Sequence, residues 1–73
     1  MTTRNEHMIW CKKRALEYVE SGDIAGGYAS MLSDLKKHPE TADHIGIGLG
    51  LMLMMNGKLS TAREMKTFIE GFN

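Results

Sequence analysis

Three points of punctuation constrain this chain more than any other feature. Gly22–Asp23, Pro39 and Asn56–Gly57 cut its 73 residues into four segments, each short enough to be a single element. A glycine free to take a positive φ closes a helix, a proline cannot continue one, and Asn–Gly is a turn. Segments joined by turns of two to four residues pack antiparallel to their neighbours. The expected fold is therefore all-α, a small bundle of about four short helices, with residues 1–73 forming one domain.

The first segment opens at Thr3 with Glu6 three places on, which is the capping-box pattern, and closes at Gly22. Met8, Cys11, Ala15, Tyr18 and Val19 fall on one stripe at helical spacing, with Glu6, Lys13, Glu17 and Glu20 opposite. The second starts after Asp23 and is predicted to run to about Lys37, with Ile24, Tyr28, Met31, Leu32 and Leu35 as its stripe. Ala25 and Ala29 would permit close approach, whereas Gly26 and Gly27 each weaken the first turns by about 1 kcal/mol relative to alanine. Lys36, Lys37 and His38 suit the negative end of that helix dipole, and Pro39 then turns the chain out.

The third segment, from Glu40 to Asn56, carries two signals. Its centre, Ile45-Gly46-Ile47-Gly48-Leu49-Gly50-Leu51, alternates with period two, as a strand or hairpin would. As a helix it places Ile45, Leu49 and Met52 on one face and Gly46 and Gly50 on another, where a neighbouring helix can come close. Its length, the proline before it and the run Leu51 to Met55 make helix the preferred reading. The fourth begins near Ser60 or Thr61, where Thr61-Ala62-Arg63-Glu64 fits a second capping box. Its apolar face is Ala62, Met65, Phe68, Ile69 and Phe72, and Gly71 ends it. Met8, Ala15, Val19, Leu32, Leu35, Met52 and Phe68 are the predicted core.

A domain this small buries only about 60% of its unfolded surface. A pocket deep enough to enclose a cofactor or small substrate would consume the core, so a binding protein is expected and an enzyme is not. Nine basic residues balance nine acidic ones, whereas nucleic-acid binders usually carry a basic excess. The single cysteine excludes an internal disulfide. No charged and then apolar leader opens the sequence, and the apolar run Ile45 to Met55 is too short to span a bilayer. The cytosol is the expected compartment, with no membrane partner.

Catalytic and metal readings find little to stand on. His7 and Cys11 lie at i, i+4, and His38 and His44 would complete a set, but no C-x-x-C or H-E-x-x-H accompanies them. No orienting acid marks Cys11 as a nucleophile, and the carboxylates alternate with lysines and arginines as on a solvated helix face. Gly46, Gly48 and Gly50 lack the spacing of a phosphate-binding loop. No cofactor and no metal are expected. The seven methionines read most simply as flexible core filling, with an adaptable binding groove as the alternative.

Trp10 is the most informative residue. On a helical wheel it lies opposite Met8 and Ala15, beside Arg14 and close to Lys13. An indole on a polar face is either covered by another part of the chain or kept for a partner, and Trp and Arg are enriched at binding hot spots. Trp10, Lys13 and Arg14, extended by Lys36 and Lys37, are the candidate contact residues.

The strings Trp10 to Leu16, Ser33 to Thr41, Met52 to Gly57 and Phe68 to Phe72 resemble a family of short proteins encoded by tailed bacteriophages, over nearly the whole chain. In length the chain is also similar to small phage regulators that bind host RNA polymerase, blocking initiation or promoting read-through of terminators. The resemblance implies a regulator working in the host bacterial cytoplasm with RNA polymerase as its partner. The alternatives are an inhibitor of a host defence complex and a small nucleic-acid-binding protein that uses Lys12-Lys13-Arg14 and Lys36-Lys37.

Overall fold

A computed structural model describes residues 3–72. Four helices follow one another, α1 (Arg4–Glu20), α2 (Ile24–Leu35), α3 (Ile45–Met55) and α4 (Ala62–Glu70), and no strand occurs among the described residues. The alternation in residues 45–51 is therefore helical.

Local chemistry sets most of the boundaries. Thr3 and Glu6 form the first capping box, with the Glu6 N–H donating to Thr3 Oγ1 at 3.2 Å and the Thr3 N–H donating to Glu6 Oε1 at 3.1 Å. Gly22, at φ +92°, ends α1 in a Schellman arrangement: its N–H donates to the Val19 carbonyl, and that of Asp23 to the Tyr18 carbonyl. Asp23 then caps α2 through the Gly26 N–H at 2.8 Å. Gly57, at φ +70°, closes α3 the same way, with Lys58 N–H reaching the Leu53 carbonyl. Thr61 and Glu64 make the second capping box.

Two boundaries differ from expectation. α2 ends at Leu35 and not near Lys37, and α3 begins at Ile45 and not at Glu40. Pro39 is the cause. It has no N–H for the Leu35 carbonyl four residues back, and it disfavours helical backbone at His38. The buried Thr41 hydroxyl takes over, donating to the Leu35 carbonyl at 2.6 Å. Residues 36–43 consequently form a chain of turns, and His44 caps α3 by accepting the Gly46 N–H at its Nδ1.

α1 and α2 pack as an antiparallel hairpin, with α4 laid against both. Gly27 is the point of closest approach: a Cβ there would stand 2.5 Å from Val19 Cγ2 and 3.1 Å from the Ala15 carbonyl oxygen. Ala25 and Ala29, expected to serve this purpose, lie exposed. The core holds Met8, Cys11, Ala15, Val19, Met31, Leu35, Leu59, Met65, Ile69 and Phe72, and Phe68 and Leu16 pack on its edge. Of the predicted core residues, Met8, Ala15, Val19 and Leu35 are buried, while Leu32 and Phe68 are half-buried. Tyr18, expected on the apolar stripe, is 43% exposed.

Met52 is the clear correction, at 61% exposed. α3 docks through its glycine face: Phe72 occupies the space where a Gly46 Cβ would be, and Phe68 the space at Gly50. The two rings fit only against glycine, and turning that face inward turns Ile45, Leu49 and Met52 outward. No helix among the described residues is long and apolar enough to cross a membrane.

Candidate protein-interaction surface

The C-terminal end of α2 meets α1 at an acidic residue that pattern reading assigned to solvent. Asp34 follows Gly27 and Met31 at helical spacing, all three lie on the buried side of α2, and Asp34 is only 1% exposed. Its carboxylate accepts from Arg14 Nε at 2.8 Å and pairs with Lys37 Nζ at 3.1 Å, one turn along α2. The Ser30 hydroxyl lies 3.4 Å away as a weaker donor. The cations themselves remain about half in water. A buried charge needs this kind of compensation, because an unpaired carboxylate would be costly to desolvate.

Both cations also lie over Trp10. The Arg14 guanidinium carbon is 4.7 Å from the indole centroid and Lys37 Nζ is 5.4 Å from it, within the range of cation–π attraction. Beneath the indole lies the buried His7 ring at 5.4 Å, and His38 is stacked at 5.2 Å from His7. His7 Nε2 donates to the Asp34 backbone carbonyl at 2.6 Å, and His38 Nδ1 accepts the Glu40 N–H at 3.0 Å. A ladder of three rings thus runs inward from the surface, with two cations pinned over its outer rung. Trp10 stays 38% exposed.

Of the five candidate residues, Trp10, Arg14 and Lys37 come together. Lys13 and Lys36 are exposed and stand outside the cluster. Lys13 borders a shallow groove with Ile9, Lys12, Leu16 and Glu17. Lys12 reaches the other way, donating to the Glu70 backbone carbonyl on α4 at 3.0 Å. Asp34, His7 and His38 are the members that sequence reading missed. The helical spacing of Gly27, Met31 and Asp34 was a usable signal for the first, whereas nothing local marks the histidines as stacked.

Cys11 is fully buried, and burial, reinforced by the nearby Asp34 carboxylate, pushes its thiol up to about 11. It is protonated near neutral pH and has no access to substrate. Among the described residues no three His, Cys, Asp or Glu side chains gather as a metal site. Gly46, Gly48 and Gly50 lie inside α3 and form no phosphate-cradling loop. Met8, Met31 and Met65 fill the core, while Met52, Met54 and Met55 lie on the surface, and Met1 lies outside the described residues. Compared with protein-family models, with curated proteins and with solved structures, the chain matches none.

Proposed function

We propose that this chain is a non-catalytic binding protein that docks on the bacterial host's RNA polymerase and redirects transcription, inhibiting initiation or promoting antitermination. The observation that carries the docking surface is the Trp10 cluster. An indole 38% exposed is held between buried His7 and the cations Arg14 and Lys37, and both cations are oriented by a carboxylate from the core. Side chains fixed before binding lose little entropy on binding, which is the property of a hot spot. Only Nε of Arg14 is committed to Asp34, so the rest of the guanidinium can pair with an acidic partner. The choice of polymerase rests on the chain's similarity in length and style to small phage regulators of host RNA polymerase.

The same geometry weighs against direct nucleic-acid binding. Arg14 and Lys37 already share the Asp34 charge, which leaves one carboxylate-sized contact at Arg14 and little of the extended net positive charge that a phosphate backbone requires.

The test is co-elution of the purified chain with host RNA polymerase, paired with transcription in vitro from a template carrying a promoter and a downstream terminator. Binding and altered initiation or read-through are expected, with both lost in Trp10→Ala. Absence of binding to core enzyme and holoenzyme at about 10 μM would overturn the polymerase assignment. Steeply salt-sensitive binding to DNA or RNA alone would favour the nucleic-acid reading instead.

A further inference from the structure

We propose that the outer face of α3 is a self-association surface, covered in solution by α3 of a second copy lying antiparallel to it across a two-fold axis. This inference rests on α3 and the charges that flank it, and uses no side chain of the Trp10 cluster.

α3 carries no polar side chain in its 11 residues. A helix apolar all round is normally buried all round, yet α3 is covered on one side only. Its inner side holds Gly46 and Gly50 under the two phenyl rings, with Ile47 and Leu53 packed on the core. Its outer side exposes Ile45 at 87%, Leu49 at 54%, Leu51 at 57%, Met52 at 61% and Met55 at 78%. These five present roughly 600 Å², the upper end for the largest apolar patch of an ordinary monomer. Doubled in a symmetric pair, that gives a ceiling of roughly 1,200 Å², the lower bound of a specific interface of standard size.

Gly48 supplies an independent observation. Gly46 and Gly50 are accounted for by the rings that fill their Cβ positions, but a Cβ at Gly48 would meet nothing within 4 Å. The isolated fold gains nothing from glycine here, and glycine weakens a helix interior. On the wheel Gly48 lies on the outer face, between Met52 and Met55. A second backbone approaching that face gives the glycine the same role there that Phe68 and Phe72 give its neighbours inside.

The charges choose the occupant. α3 itself has none, but exposed Glu40 and Asp43 precede it and exposed Lys58 follows it. An isologous contact must be complementary to itself under a two-fold rotation. An antiparallel pair sets the acidic end of each helix against the basic end of the other and opposes the helix dipoles. A parallel pair would set like against like. Leu and Met side chains can mesh with copies of themselves without leaving a polar group unpaired.

Sedimentation equilibrium of the whole chain, from about 1 to 200 μM, tests this. The expected result is a reversible dimer at twice the 8.2 kDa of one chain. Leu49→Glu and Gly48→Gln should each weaken it at least tenfold while circular dichroism stays helical. Gly48→Gln adds a better helix former in open space, so loss of folding is not in play for that variant. A chain monomeric at every concentration overturns the proposal. So does a dimer unaffected by both variants, or growth into open-ended assemblies, because a two-fold contact closes at two.

Discussion

Replacing Asp34 by asparagine removes one charge and leaves the outline of the side chain almost unchanged. Two charge-assisted contacts are lost or weakened, to Arg14 at 2.8 Å and to Lys37 at 3.1 Å. A hydrogen bond to a charged group contributes about 1.5–3 kcal/mol when both partners are confined. Here the cations are 43% and 53% exposed, so water takes them up once released and screening reduces the loss. Removing the buried carboxylate also relieves its desolvation, and the asparagine oxygen can still accept from Arg14 Nε. The net cost should be about 1–2 kcal/mol, which in a domain of this size lowers Tm by roughly 5–15 °C. Thermal unfolding followed by circular dichroism measures it. Fluorescence of Trp10, the single tryptophan, reports the cluster separately, and its emission in the native state should change as the cations leave the ring. A variant as stable as the parent within about 0.5 kcal/mol, with unchanged emission, would show that Asp34 organises nothing.

Three other outcomes follow from the packing and the caps. Trp10→Ala should cost about 2 kcal/mol in chemical denaturation, roughly half the loss of a fully buried ring, and should weaken the proposed polymerase contact at least thirtyfold. Gly27→Ala should destabilise by about 1–2 kcal/mol despite alanine's better helix propensity, because its Cβ would collide with Val19 and the Ala15 carbonyl. Calorimetry giving a more stable variant would contradict the close approach. The third outcome concerns acid. Backbone and hydroxyl donation from Thr3 holds the Glu6 carboxyl below its ordinary 4.5, and Glu64, against opposing desolvation, is lowered by Ser60 and Thr61. Because these groups are depressed in the folded state, their contribution is complete above about pH 4.5 and is lost as pH falls through the lower folded values. Glu6→Gln with Glu64→Gln should flatten the acid limb of the stability curve, as urea melts across pH would measure.

What was legible in the sequence was what depends on near neighbours. Both capping boxes, the Asp23 cap and the glycine closures at Gly22 and Gly57 involve partners within six residues, and they stand where the pattern placed them. The stripe of α1 was readable for Met8, Ala15 and Val19 because that helix has one wet side. α3 was harder, since a helix without polar residues does not say which side faces in. Gly46 and Gly50 did mark the docking face, but Met52 was then placed in the core with them, although it lies on the other side. The ends of α2 and α3 depended on a hydroxyl six residues past Leu35. The Trp10 cluster was half visible: Arg14 is one turn away on the same helix, whereas Asp34 and Lys37 arrive only when the hairpin closes.

The way α3 is attached has a kinetic consequence. α1, α2 and α4 share one interlocked core, whereas α3 is fastened by two phenyl rings seated on two glycines and by Ile47 and Leu53 packed on the core's edge. Such a seat should release as a unit, because undocking these few contacts leaves the α1–α2 hairpin intact. Native-state exchange of amide hydrogens should therefore divide the chain in two. Amides of α3 should exchange through a low-energy local opening, and those in the middle of α1 and α2 only through global unfolding. The Trp10 cluster shares no side chain with α3, so releasing α3 should leave that cluster assembled.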